Sequence, residues 1–167
     1  MTEAPFTIRE ADPSEYQAVA DVIEAAYRAV GDPKFEGYVD EVRDVAGRAR
    51  HCPILVAVDH GTGGVLGTVS YVPGPGNPYA ELEREDEAGM RMLAVAPAAQ
   101  GRGVGRALVQ AIADRARADG RRGLAINTRP SMTTAHRMYS AYGFVRDPAR
   151  DWEFEPGEWL WALTLRL

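Results

Sequence analysis

Gln100-Gly101-Arg102-Gly103-Val104-Gly105-Arg106 decides how this chain is read. The run stands between the apolar stretch Met90 to Val95 and a helical pattern from Val104 to Arg117. A strand that passes through a glycine-rich turn into a helix gathers unpaired backbone N–H groups and the positive end of a helix dipole around one point, which suits an anion such as a diphosphate. Glycine lets the main chain come close, because no Cβ stands in the way. Two nucleotide patterns fail on spacing. G-x-G-x-x-G counted from Gly101 lands on Arg106, and counted from Gly103 it lands on Leu108. The next predicted strand, Leu124 to Asn127, also ends in an amide where a dinucleotide fold needs an acid. No Gly-Lys-Ser or Gly-Lys-Thr occurs, which excludes a P-loop and disfavours ATP or GTP hydrolysis.

Outward from the turn, Val104, Leu108 and Ile112 repeat at four-residue spacing, Arg115 and Arg117 favour the carboxyl end, and Asp119-Gly120 stops the helix. Leu124 to Asn127 reads as a strand, Thr133 to Tyr142 as a helix and Phe144 to Arg146 as a strand. Asp151 to Gly157 reads as a loop beside the site, with Trp152 or Phe154 as a wall of it or, as such aromatics more often are, part of the core. Trp159, Trp161, Leu163, Leu165 and Leu167 alternate as a final strand with one apolar face, open to pairing across a homodimer.

Upstream, Met90 to Val95 is apolar on both faces apart from Arg91, as a central strand covered by helices would be. Phe6 to Arg9 reads as a first strand. Asp12-Pro13-Ser14-Glu15 supplies a cap, a helix-start proline and a capping-box acid for a helix that runs to Gly31. Tyr38, Val42, Val45, Ala46 and Ala49 predict a second helix. Ile54 to Val58, a turn over Asp59 to Gly64, and Val65 to Val72 predict an antiparallel hairpin. Pro73 to Ala88 is a long loop, of the kind that borders functional sites. These elements predict one α+β domain over residues 1–167, an α/β/α sandwich of about seven strands and about four helices.

At 167 residues with a net charge of −5, the chain carries no basic surplus for nucleic acid. Its single cysteine, Cys52, excludes an intrachain disulfide, and His51, His60 and His136 lack metal-ligand spacing. No metal is expected, and a reducing, cytoplasmic setting is. Met1 to Pro5 has no leader character and no segment reaches the roughly 18 apolar residues of a membrane span.

Read as Q-x-x-G-x-G through Gln100, Gly103 and Gly105, directly after Arg91 to Pro97, the turn resembles the acetyl-CoA motif of the GNAT acetyltransferases. Ala135-His136-Arg137-Met138-Tyr139-Ser140-Ala141-Tyr142-Gly143-Phe144 resembles that family's later A-x-x-x-Y-x-x-x-G-F segment. The resemblance implies a mixed, mostly antiparallel sheet whose fourth and fifth strands splay to admit acetyl-CoA. It also implies N-acetyl transfer by direct attack of a primary amine, in a small molecule or a peptide.

Acetyl transfer needs a grip on the diphosphate, a donor to the developing oxyanion, and two proton transfers. The amides of Gly101, Arg102, Gly103, Val104, Gly105 and Arg106 would hold the diphosphate, with Arg102 or Arg106 adding charge. By the resemblance, the Leu93 N–H serves the oxyanion, the main chain of Leu93, Ala94 and Val95 meets the pantetheine arm, and Tyr139 is the general acid that protonates the leaving thiolate. Packing in the core is the bland alternative for each side chain, and for Tyr142 the better one. Glu87, then Glu85, are the first candidates for the base that takes the amine proton, although Gly89 stands where some relatives carry glutamate. The acids Glu81, Glu83, Glu85, Asp86 and Glu87 form either a solvated loop or a lure for cationic amines. Met132 replaces an asparagine frequent in the family. Asn127 either takes over its contact with the cofactor or caps a turn. A silent acyl-CoA-binding module and an acyltransferase for longer chains remain open as alternatives.

Overall fold

The computed structural model describes residues 3–167; Met1 and Thr2, which open the stretch read above for a leader, lie outside the described residues. The first strand, β1 (Phe6–Glu10), leads into the predicted capping box: Asp12 accepts from the Ser14 N–H, and Glu15 reaches back to the Asp12 N–H at 2.8 Å. Helix α1 (Tyr16–Val30) follows and stops at Gly31, which adopts the left-handed conformation at φ 78°.

The predicted helix from Tyr38 to Ala49 is two short ones, α2 (Val39–Arg43) and α3 (Val45–Ala49). Asp44 breaks it, because its carboxylate accepts from the Gly47 N–H at 3.0 Å and starts a new helix in place of continuing the old one. The hairpin of β2 (Ile54–Asp59) and β3 (Val65–Val72) forms as expected. Strand β4 (Glu87–Val95) begins three residues earlier than the apolar pattern suggests. After the glycine turn come α4 (Val104–Ala118), β5 (Gly123–Thr128), α5 (Thr133–Tyr142) and β6 (Val145–Arg146).

The stretch expected to loop from Asp151 to Gly157 instead contains a strand, β7 (Trp152–Glu155), which turns back into β8 (Glu158–Arg166). The described residues thus form eight strands, one more than anticipated. Their order is β1-β2-β3-β4-β5-β8-β6, with β7 also on β8, and every pair is antiparallel except β4–β5. β8 is bordered by β5 on one side and by β6 and β7 on the other. Both of its sides are thus met by strands of the same chain.

Alternation along β2 shows how the layers form. Ile54 and Val56 face a core under α1, α2 and α3 with Val19, Ile23 and Met92, while Leu55 and Ala57 face a core under α4 with Leu108 and Ile112. Burying each of these large side chains contributes about 1.5–3 kcal/mol. Gly67 on β3 lets α4 settle on the sheet, since a Cβ there would stand 2.8 Å from Val104 Cγ1 and 3.1 Å from Leu108 Cδ1. That approach fixes where the glycine turn sits.

Candidate active site

β4 and β5 pair at only two positions, Glu87↔Gly123 and Ala88↔Leu124. Beyond these they part, although β4 runs on to Val95 and β5 to Thr128. A bulge bends β4 at the same place. Thr68 opposes Ala94 and Ser70 opposes Arg91, so Met92 and Leu93 together face Val69 alone. Met92 stands at φ 52°, the one non-glycine residue with positive φ among the described residues. Bulges of this kind leave an extra residue outside the ladder and re-aim it, and they recur beside active sites.

On one side of the split lies the glycine turn. Gly101 and Gly103 have φ 77° and 79°, and no atom lies within 4 Å of where a Cβ would stand on either. Gly103 caps α4 with no side-chain hydrogen bond, so the first-turn amides of a 15-residue helix keep their donors free of side-chain caps. Gly105 packs close, with its Cβ position 3.6 Å from Val95 Cγ2 and 3.9 Å from Met138 Cε on α5. The cationic side chains nearby are engaged: Arg102 meets Asp59 at 3.2 Å, and the Arg106 guanidinium lies 5.2 Å from the centre of the Tyr142 ring. Gln100 is exposed.

On the other side, a cavity of about 460 Å³ opens between the parted strands and the segment joining α1 to α2. Met90 to Leu93 and Ile126 to Arg129 form its floor, and Tyr139 reaches it from α5. Tyr139 is 7% exposed, its ring centroid is 5.5 Å from that of Phe144, and burial alone raises its pKa above the ordinary 10.0. Tyr27 and Tyr38 also border the cavity and are raised by burial.

Glu81 bridges the split. Its carboxylate accepts from Arg91 of β4 at 2.8 Å and from the Asn127 amide of β5. The Arg91 guanidinium is held in turn by the Tyr79 carbonyl at 2.7 and 2.9 Å. Asn127 thus turns its side chain to Glu81 and Arg91. Glu83 steadies the loop that delivers Glu81, accepting from the N–H groups of Glu81 and Leu82 at 2.7 and 3.0 Å. Gly89 leaves the room, because a Cβ there would lie 2.0 Å from Glu83 Oε1.

Glu87 is placed elsewhere. It sits at the closed end of the β4–β5 pair, outside the cavity lining, and accepts from Arg150 at 2.7 and 3.0 Å and from the Arg84 N–H at 2.9 Å. Burial raises its pKa, but Arg150 and the Arg84 N–H outweigh burial and hold the carboxyl below its ordinary value, which is the wrong direction for a base at neutral pH. Glu85 is exposed and also lies off the cavity. The carboxylates that do line it are Asp32, Glu41, Glu81 and Glu155. Of these, the sequence points to Glu81 as one member of the acidic run and to Glu155 within the segment from Asp151 to Gly157. Cys52 is buried, its thiol pushed up by burial to about 11, so it holds its proton at neutral pH.

A cradle for an anion beside a split sheet, with tyrosines and carboxylates around the split, is the layout of a transferase whose donor arrives on a phosphorylated handle. The chain belongs to the GNAT acetyltransferase family, whose model matches residues 16–144. A GCN5-related N-acetyltransferase from Kribbella flavida has the same fold, at 25% identity over 98% of each chain and a TM-score of 0.66. An N-acetyltransferase from Staphylococcus aureus Mu50 is 19% identical, with 96% of this chain and 98% of that chain covered and a TM-score of 0.71. The structure of yncA from Salmonella typhimurium, solved with its cofactor acetyl-CoA, is 22% identical over 98% of this chain and 94% of that chain, with a TM-score of 0.64. No curated protein matches the chain in sequence. Among the described residues no helix is long and apolar enough to cross a membrane, and no group of three or more His, Cys, Asp or Glu is arranged to hold a metal ion.

Proposed function

We propose that this chain moves an acetyl group from acetyl-CoA to a primary amine by direct attack. The observation that carries the reading is the open, uncapped amide cradle of Gly101 to Arg106 standing beside the β4–β5 split that Tyr139 faces. The open space at Gly101 and Gly103 is what a diphosphate would need, so the residues fit the group. Bound there, acetyl-CoA supplies the acetyl group as a thioester.

The chain's own residues then divide the work. The amides from Gly101 to Arg106 hold the diphosphate, and the main chain of Leu93, Ala94 and Val95 orients the arm along β4. The Leu93 N–H, at the bulge in β4, donates to the carbonyl oxygen as negative charge develops; one such donor is worth about 10²–10³ in rate. Tyr139 keeps its proton until the thiolate leaves and then donates it, a transfer worth about 10²–10⁴. The attacking amine must first lose a proton, since only about one in two thousand of a lysine-like amine is neutral at pH 7. Glu87, tied to Arg150 and outside the cavity, is poorly placed for that step.

Release of free thiol from acetyl-CoA in the presence of a panel of amines tests the reading. Amine-dependent release that falls about 10²-fold or more in Tyr139→Phe supports it. Binding of acetyl-CoA with no release for any amine would make the chain a binding module instead.

A further inference from the structure

The charges around the cavity are paired unevenly, and the pattern selects among amines. Three cations line it, and each is already met by a carboxylate: Arg91 by Glu81 at 2.8 Å, Arg129 by Asp32 at 2.8 Å, and Lys34 by Glu155 at 2.9 Å and Glu158 at 3.1 Å. Glu41 is the lining carboxylate with no ion pair among the described residues. Its α2 backbone is fixed from behind by Arg48, a fully buried residue that donates to the Glu41 carbonyl at 3.2 Å and to Ser70 Oγ at 3.0 Å. Burial raises the Glu41 pKa and repulsion from the Glu81 carboxylate adds to this, against the opposing charges of Arg48 and Arg91. A bound ammonium ion relieves that repulsion, whereas a second anion adds to it. Aromatic rings are prominent in the rest of the lining, with Tyr27, Phe35, Tyr38, Trp152 and Phe154 beside aliphatic side chains. Ring faces attract cations and cover flat apolar groups.

Resting on the acetyl-transfer reading, we propose that the acceptor is a cationic amine on an aromatic or apolar body, with no carboxylate beside the amine, and that Glu41 holds its ammonium group. Among the described residues no lining cation is left over to take a substrate carboxylate or phosphate, which sets an amino acid at a disadvantage against the amine of the same skeleton.

The test compares three probes that differ by one group each: phenethylamine, phenylalanine, which adds a carboxylate, and ethylamine, which lacks the ring. Steady-state thiol release gives kcat/KM for each, and calorimetry gives acetyl-CoA affinity separately. The expected result is phenethylamine ahead of both others by about tenfold or more, and a loss of about tenfold or more in kcat/KM for phenethylamine in Glu41→Gln, with acetyl-CoA affinity unchanged. Phenylalanine equal to or better than phenethylamine, an unaltered Glu41→Gln, or turnover of none of the three while acetyl-CoA still binds would each overturn the acceptor class and leave the cofactor reading standing. Failure to bind acetyl-CoA would instead overturn the acetyl-transfer reading beneath it.

Discussion

Gly103→Ala separates what the glycine turn needs for its own conformation from what it needs for a ligand. Gly103 lies at φ 79° with open space where a Cβ would go. An alanine there carries about 1–2 kcal/mol of left-handed backbone strain and meets no clash. In a chain of this size each kcal/mol lowers Tm by about 2–4 °C, so the expected fall is about 2–8 °C. Gly120, just past the opposite end of α4, has φ 74° and the same empty surroundings. It stands about 22 Å away along a 15-residue helix. Gly120→Ala therefore carries the same strain with nothing to bind. In the cradle, by contrast, the methyl group takes space that a diphosphate requires. Losing even one hydrogen bond to a charged group costs about 1.5–3 kcal/mol, which is about 10- to 150-fold in Kd. Thermal melts and calorimetric titration with acetyl-CoA on both variants decide the matter. If the two melts fall alike and Gly103→Ala binds acetyl-CoA as tightly as Gly120→Ala, the reasoning about the cradle is wrong.

Three further outcomes follow from the geometry. Tyr139→Phe keeps the ring against Phe144 and removes a hydroxyl whose pKa only burial perturbs, so kcat drops about 10²–10⁴ while Tm and acetyl-CoA affinity hold. Because burial raises that pKa, the parent enzyme loses no kcat through this group below about pH 10, and a pH–rate profile with an alkaline loss near pH 8 that vanishes in Tyr139→Phe would contradict the assignment. Glu87→Gln strands Arg150, a side chain only 9% exposed with Asp147 no nearer than 3.9 Å. It should cost about 3 kcal/mol and lower Tm by about 6–12 °C with kcat retained well below the melt; the reverse pattern would restore Glu87 as base. Glu87 and Asp151 are both held below their ordinary values of 4.5 and 3.8, Asp151 by its bond to Arg146. Depressed carboxyls stabilise the fold fully above those ordinary values and lose their contribution as pH falls through the folded ones. Melting temperature should therefore dip slightly below about pH 6.5, where the unfolded chain protonates His136 and burial opposes this in the fold, and fall more below about pH 4.5, the second fall being less steep in Glu87→Gln.

What the sequence made legible was carried by short-range chemistry. The Asp12 and Glu15 capping box, the left-handed stop at Gly31 and the helix from Thr133 to Tyr142 depend on neighbours a few residues apart, and each appears where its residues pointed. The glycine turn is equally local. Asp44 is the informative failure: apolar spacing continues through it, but a carboxylate within reach of the Gly47 N–H ends one helix and begins another. The strand Trp152–Glu155 is short and largely exposed, and only its partner β8 makes it a strand. The site was harder still. Glu41 and Glu81 stand forty positions apart, and nothing along the chain announces that α2 and the loop before β4 converge on one cavity. Glu87 is attractive in the sequence because it precedes the apolar run of the central strand, yet it lies four positions from Arg91. At about 3.3 Å per residue that is about 13 Å, enough to put Glu87 at the closed end of the split and Arg91 in the open one.

Amide resonances of a nitrogen-15-labelled chain, followed during titration with coenzyme A, probe the central claim most directly. The account predicts that the N–H signals of Gly101, Gly103, Val104, Gly105 and Arg106 move furthest and saturate together at one equivalent. Signals that stay still in this turn, or a largest response centred elsewhere in the sheet, would contradict it.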